Sequence, residues 1–197
     1  LSAPSRALSR EPISFVYSEW KPVFYMDKDR NMHGLFAKIL TELFENRLDM
    51  DFSATTLPWV RSQFAIKNGK SDFTIMIPTQ ERLKYARKSN IPVYQFFLNI
   101  FTYQDHPRLK EIRTISSITH IKGLGLTIAT NLGNGWHKKN VVPHGIQTDY
   151  LAGEGQLFLY LARKRADLVI DFLVPSLYNI RKEGLESLIE VTKARFG

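Results

Sequence analysis

The sequence predicts an α/β fold in two lobes of similar plan, each a mostly parallel sheet flanked by helices. Three observations carry this: short β-rich runs alternate with helix-period segments, the later strands are continuously apolar, and one junction pattern occurs twice. Ile13-Ser14-Phe15-Val16-Tyr17 alternates and forms a first strand. Asp27 to Asn31 supplies turn chemistry. From Gly34 the period becomes helical, with Leu35, Phe36, Ile39, Leu40, Leu43 and Phe44 on one stripe. Asp51–Thr55 is a second strand. A short helix over Val60–Lys67 stops at Asn68-Gly69. Asp72–Ile77 is an almost continuously apolar third strand.

The second half repeats the plan: a strand over Gly125–Ala129, a glycine-containing turn over Asn131–Gly135, a helix from about Trp136, a helix over Gly155–Lys164, and a buried strand over Asp167–Ile170. Lys67–Ile75 and Ala162–Ile170 share one pattern, a helix end, a basic turn, a small residue, Asp and an apolar strand. These readings give a tail over 1–12, a first lobe over 13–101 with 189–197, a second lobe over 102–188, and a hinge near 101–107, centred on Phe101-Thr102-Tyr103.

Composition narrows the function. The 197 residues are 44% hydrophobic and 23% charged, enough for one sizeable core or two small ones. No apolar run reaches the roughly 18 residues of a membrane span. The polar start has the character of a chain whose signal peptide has been removed. With no cysteine, disulfides, thiolate catalysis and Cys-based zinc sites are excluded. The net charge of +8 raises nucleic-acid binding, but the basic residues are dispersed. The densest groups, Lys138-Lys139 and Arg163-Lys164-Arg165, read as solvated surface, so no nucleic-acid partner is expected.

None of the five histidines has metal-ligand or triad spacing, and each reads as a surface or loop residue. No GxSxG, Walker loop or GxGxxG is present. Gly123-x-Gly125 precedes a strand rather than following one. The sequence therefore offers no catalytic residue, no metal site and no cofactor site, and ligand binding is the better expectation.

Candidate ligand-binding residues fall at strand ends. Arg82, in Thr79-Gln80-Glu81-Arg82, lies beyond the third strand, at the carboxyl edge where open α/β sheets bind ligands. Its guanidinium can grip a carboxylate bidentately; alternatively it is an exposed arginine pairing with Glu81 or Glu111. Trp20 follows the first strand and Trp59 the second. Each can sandwich a ligand or meet its ammonium, and each would also serve as an ordinary core residue. Arg61 follows Trp59 closely. The turn Thr130-Asn131-Leu132-Gly133 can aim free N–H groups at an anion. Asp171 either accepts an ammonium or N-caps a helix beginning near Phe172.

These blocks, in order, resemble the family 3 extracellular solute-binding proteins, the polar amino-acid binders of ABC transporters. The resemblance covers about Ile13 to Ile189. It rests on Trp20-Lys21-Pro22-Val23-Phe24, Asp27-x-Asp29-x-Asn31-Met32-His33-Gly34-Leu35, Pro58-Trp59-Val60-Arg61, Asn68-Gly69-Lys70-Ser71-Asp72 and Thr79-Gln80-Glu81-Arg82. It implies a two-lobed, periplasmic-binding-protein-like fold of type II and a monomer in the periplasm or another extracytoplasmic space. The partners it implies are a small polar ligand, foremost an amino acid, and a membrane permease. By resemblance, Trp20 and Trp59 flank the ligand, Arg82 holds its α-carboxylate, the turn near Asn131 to Gly133 adds N–H donors, and an acid near Asp171 takes the α-amino group. Ile77 stands where the family often has a hydroxyl residue, so the carboxylate pocket departs from the pattern. Two rival roles share the fold, a sensory module of a receptor kinase or cyclase and a periplasmic dehydratase. The second needs an acid/base group that the sequence does not supply.

Overall fold

A computed structural model of the chain describes residues 12–152 and 156–196. The expected N-terminal tail lies outside them except for Pro12, and so do Gly155, the expected start of a helix, and Gly197. The chain divides into two compact units that meet in sequence at Val93 and Tyr94.

The first unit contains β1 (Ile13–Tyr17), β2 (Tyr25–Met26), β3 (Met32–His33), α1 (Leu35–Thr41), a π-helical turn over Glu42–Arg47, β4 (Phe52–Thr56), α2 (Trp59–Lys67) and a 3-10 turn over Arg82–Lys84. β1 and β4 pair in parallel, with Ile13 opposite Phe52 and Tyr17 opposite Thr56. The core beside them is aromatic: Phe15 stacks on Tyr17 and Phe73, and Phe24 meets Phe36 edge-on. Such offset and T-shaped pairs add attraction beyond their buried area.

The third strand expected over Asp72–Ile77 shrinks to one parallel bridge, Phe73 with Phe15. Farther along, the Ile77 carbonyl accepts from the Arg82 guanidinium at 2.6 Å, and Pro78 has no N–H for a ladder.

The second unit contains β5 (Leu98–Tyr103), α3 (Leu109–Ile112), α4 (Ile118–Gly123), β6 (Ile128–Asn131), α5 (Gly135–Asn140), a 3-10 turn over Val142–His144, β7 (Thr148–Leu151), α6 (Gln156–Ala162), β8 (Leu168–Phe172), α7 (Leu173–Lys182) and β9 (Ile189–Phe196). Its sheet runs β7-β6-β8-β5-β9. β6 is parallel to β7 and β8, while β5 is antiparallel to β8 and β9. Period-two alternation divides the strands between two apolar layers. Leu98, Ile100, Ile128, Leu168 and Ile170 pack on one side; Phe101, Tyr103, Ala129, Val169 and Leu161 pack on the other.

Two sequence expectations differ from this arrangement. All six residues of β5 are buried, and both its edges carry ladder bonds, so Phe101-Thr102-Tyr103 lies inside a sheet. β9 pairs with β5 in the same sheet, so 98–101 and 189–196 belong to the second unit and not to a lobe begun at Ile13. The strand expected over Gly125–Ala129 starts three residues later. Gly125 adopts a left-handed φ of 65° and ends α4 instead.

Candidate ligand-binding site

The parallel pairing of β1 and β4 decides where the first candidates fall. Tyr17 and Thr56 are register partners, and Trp20 and Trp59 each lie three residues beyond them, past the same end of the pair. The two loops are tied together there. Leu57 N–H donates to Tyr17 O at 2.8 Å, and the Ser18 hydroxyl donates to Leu57 O at 2.8 Å. Buried Ser62 on α2 donates to that same carbonyl at 3.1 Å.

Trp20 is half-buried in a tight loop. Its N–H donates to Phe24 O at 2.8 Å and its carbonyl accepts from Val23 and Phe24. Gly34 seats this loop: Leu35 and Phe36 donate to Pro22 O and Val23 O, and a Cβ on Gly34 would lie 2.4 Å from Val23 O. The glycine of the opening block is therefore required by close backbone approach and a φ of +111°.

Arg82 is held on three sides. Its guanidinium lies over the Trp59 ring, 5.1 Å from the centroid. Nε donates to Gln63 Oε1 at 3.2 Å, and one Nη donates to the Ile77 carbonyl at 2.6 Å. Thr79 fixes the backbone beneath it, its hydroxyl accepting from Arg82 N at 3.3 Å and its carbonyl from Leu83 N at 3.0 Å. Arg82 makes no ion pair with Glu81, and Glu111 is engaged by Arg108 at 2.8 Å. The other Nη has no hydrogen-bond partner among the described residues. A guanidinium so fixed presents one free N–H edge, the arrangement a carboxylate needs.

The structure thus joins Trp59, Ile77, Thr79 and Arg82. Ile77 contributes its carbonyl, while its side chain is exposed. Arg61 stays apart: two residues from Trp59 on a helix is about 200° around the axis, and it makes no hydrogen bond or ion pair among the described residues. The residue missed from sequence is Gln63, four residues from Trp59 and therefore on its face of α2. That spacing was the available signal.

In the second unit, Thr130 and Asn131 end β6 rather than forming the turn. Thr130 is buried, and its hydroxyl accepts from Asn134 Nδ2 at 3.0 Å. Asn134 also caps α5, accepting from His137 N at 3.0 Å. The turn closes through Asn134 N–H to Asn131 O at 3.2 Å, with Gly133 at a φ of 83°. Asp171 lies within β8, opposite Asn99, and its carboxylate accepts from Phe172 N at 2.8 Å. The N-cap of α7 is Phe172, without a side-chain bond, so Asp171 is not the cap.

Two histidines are buried: His106 lies in a loop, within the surface-or-loop expectation, while His137 lies on α5 and outside it. His106 accepts from Arg108 N at Nδ1, so neutral His106 carries its hydrogen on Nε2 and donates to Asp167 at 3.0 Å. His137 Nε2 lies 3.1 Å from the Thr148 hydroxyl. Both arrangements hold strands and loops together. Among the described residues no group of three His, Cys, Asp or Glu could hold a metal ion, and no helix is long and apolar enough to cross a membrane.

No family model matches the chain, and no curated protein sequence matches it. Solved structures do. An ancestral arginine-binding protein bound to arginine superposes with a TM-score of 0.65 at 18% identity, covering 94% of this chain and 79% of that one. The arginine-bound form of a truncated ArgBP from T. maritima gives 0.65 at 18%, covering 94% and 83%. A histidine kinase sensor domain with similarity to periplasmic binding proteins gives 0.65 at 17%, covering 94% and 77%. At such identities the likeness is one of fold, and the fold is the two-lobed periplasmic-binding-protein-like one.

Proposed function

We propose that the chain is an extracytoplasmic solute-binding protein that captures a small polar ligand, foremost an amino acid, and hands it to the membrane permease of an ABC transporter. The observation that carries this is Arg82, fixed on Trp59 and by Gln63 and Ile77, with one Nη left for a ligand oxygen. Trp20 lies past the same end of the strand pair, where an indole can flank the same ligand. The arginine-binding neighbours share the fold and support the amino-acid class. The role is binding without turnover, by a monomer in the periplasm or an equivalent compartment.

The test is a thermal-shift and calorimetric screen against amino acids, polyamines and small carboxylates, since a ligand that binds only the native state raises its melting temperature. Arg82→Ala should weaken the best ligand by about 2–5 kcal/mol, roughly 30- to 5,000-fold. Unchanged binding by that variant would discard the carboxylate role. A turnover assay on prephenate-like acids tests the enzymatic alternative.

A second reading is a ligand-sensing module of a receptor kinase or cyclase, favoured by the equal likeness to a histidine kinase sensor domain. Deleting the gene and measuring uptake of the labelled ligand separates the two, because only the transport role requires uptake to fall.

A further inference from the structure

We infer that the second unit carries a separate surface site for a neutral polyhydroxylated ring, the chemistry of a pyranose sugar. The site is a cavity of about 450 Å³ where α4, α5 and the end of β9 meet, a volume that suits one small ligand. All its residues belong to the second unit, and it does not depend on the proposed binding of an amino acid. One wall is aromatic. Trp136 lies in the first turn of α5 and Phe196 ends β9; their ring centroids are 6.0 Å apart and the rings are tilted by 49°. Both rings pack on the apolar layer of Ile128 and Leu168, which holds them in place, and both remain only half-buried, so part of the wall is open.

The remaining lining is polar and uncharged. Asn140, four residues after Trp136, shares its face of α5. Its Nδ2 donates to Trp136 O at 2.9 Å, which leaves Oδ1 as an acceptor. Ser116 and Thr119 bring hydroxyls from the start of α4, and His144 brings an imidazole from the 3-10 turn. Lys122 ties that turn to α4, its Nζ donating to Gly145 O at 2.7 Å. Among the described residues, the side chains of Ser116, Thr119 and His144 and the Trp136 indole N–H make no hydrogen bond, and no carboxylate or ammonium lines the cavity. Arg195 borders it, but alternation turns its side chain to the other side of β9 from Phe196, and its guanidinium lies over the Phe97 ring at 5.7 Å.

This composition selects the ligand class. A carboxylate or ammonium would lose water here without gaining a counter-charge. A wholly apolar ligand would leave the hydroxyls, the amide and the indole N–H without partners. A sugar ring meets both demands. Its C–H face lies on the aromatic wall, while its hydroxyls donate to Asn140 Oδ1 and accept from Ser116, Thr119 and the indole N–H.

The test titrates the full chain with the methyl α-glycosides of glucose, galactose and mannose, with maltotriose, and with L-arginine and acetate, following the Trp136 indole N–H in proton–nitrogen correlation spectra. At least one of the sugars should shift that resonance and the Ser116 to Thr119 amides saturably. Maltotriose binding far more tightly than the glucoside assigns a glycan chain as the source of the ring, and equal affinity assigns a free monosaccharide. Trp136→Ala should weaken binding about tenfold or more. Because Trp136 also leans on the core, Thr119→Val and His144→Ala, both at exposed positions, should each weaken it about threefold with the melting temperature nearly unchanged. The proposal is overturned if no sugar moves the indole resonance, if L-arginine or acetate moves it with equal affinity, or if the Thr119 and His144 variants both bind as the wild type does.

Discussion

Asp167 and Thr127 hold each other at both ends. The Asp167 carboxylate accepts from Thr127 N at 2.7 Å and from its hydroxyl at 2.8 Å, while Asp167 N–H donates back to that hydroxyl at 3.1 Å. Asp72 and Ser14 make the same three bonds in the first unit, at 2.7, 2.6 and 2.9 Å. Each clamp pins the start of one strand to its parallel neighbour: Ser14 lies in β1 beside Phe73, and Thr127 precedes β6 beside β8.

The two clamps should differ in worth, because their surroundings differ. Asp167 also receives the buried His106 Nε2 hydrogen, so Asp167→Ala strands three donors and should cost about 2–4 kcal/mol. Asp72 is exposed, so water replaces the lost carboxylate and Asp72→Ala should cost under about 1 kcal/mol. Burial pushes the Asp167 carboxyl up, but hydrogen bonds from Thr127 and His106 outweigh it and hold the group below the usual carboxylate range. A folded-state pKa below the unfolded one gives stability that is present above about pH 4 and lost as pH falls through the folded value. Urea melts from pH 7 to 2 should therefore show an acid loss in the wild type that is smaller in Asp167→Ala.

The doubled pattern around Asp72 and Asp167 was legible because a helix end, a turn and an Asp before an apolar strand are local. Their partners Ser14 and Thr127 were not, being 58 and 40 residues away. Likewise, β1, α2 and β8 follow from period and turn residues within two residues of their observed ends. The sheet order does not follow from them: nothing local in Leu98–Tyr103 says that it is a strand paired on both edges. At the candidate site, Trp59 lies past a strand end as expected, whereas the third strand that set Arg82 apart is only one bridge, so the stacking of Arg82 on Trp59 was not legible. Nor was the grip of Ile77, because it acts through a backbone carbonyl that any residue has.

Gly34 should tolerate no side chain. A Cβ there meets Val23 O at 2.4 Å and Pro22 O at 2.6 Å, both backbone atoms that hold α1 in place. Its φ of +111° adds strain for any L-residue. Gly34→Ala should destabilise the protein by about 2–4 kcal/mol, read as a lower denaturation midpoint. Where it still folds, the loop carrying Trp20 should lose the slow amide exchange of Val23 and Phe24.

Gln63 should behave as a positioning residue for Arg82. Removing its carbonyl frees the guanidinium to leave the Trp59 face and the Ile77 carbonyl, which costs order rather than a ligand contact. Gln63→Ala should weaken the best ligand about three- to tenfold, the scale of one hydrogen bond, with the melting temperature of the unliganded protein nearly unchanged. Gln63→Glu, which keeps an acceptor, should restore binding. Arg82→Lys should not, because a lysine cannot meet Gln63 Oε1, Ile77 O and a carboxylate with a fixed fork.

His137 should make the second unit sensitive to mild acid. Burial holds its imidazole below the ordinary 6.5. Thr148 donates its hydroxyl hydrogen to Ile146 O at 3.1 Å, so it accepts from His137 Nε2, which fixes the neutral tautomer. The unfolded chain binds a proton more readily than the folded one. Stability is thus fully present above the unfolded value, about 6.5, and declines as pH falls from there toward the folded value. Each unit of depression corresponds to about 1.4 kcal/mol. Gln at this position keeps an N–H donor for Thr148 and cannot titrate. Denaturation midpoints measured at pH 7.5, 6.5, 5.5 and 5.0 should fall in the wild type and fall less in His137→Gln; parallel curves would mean that His137 is protonated with equal ease in both states.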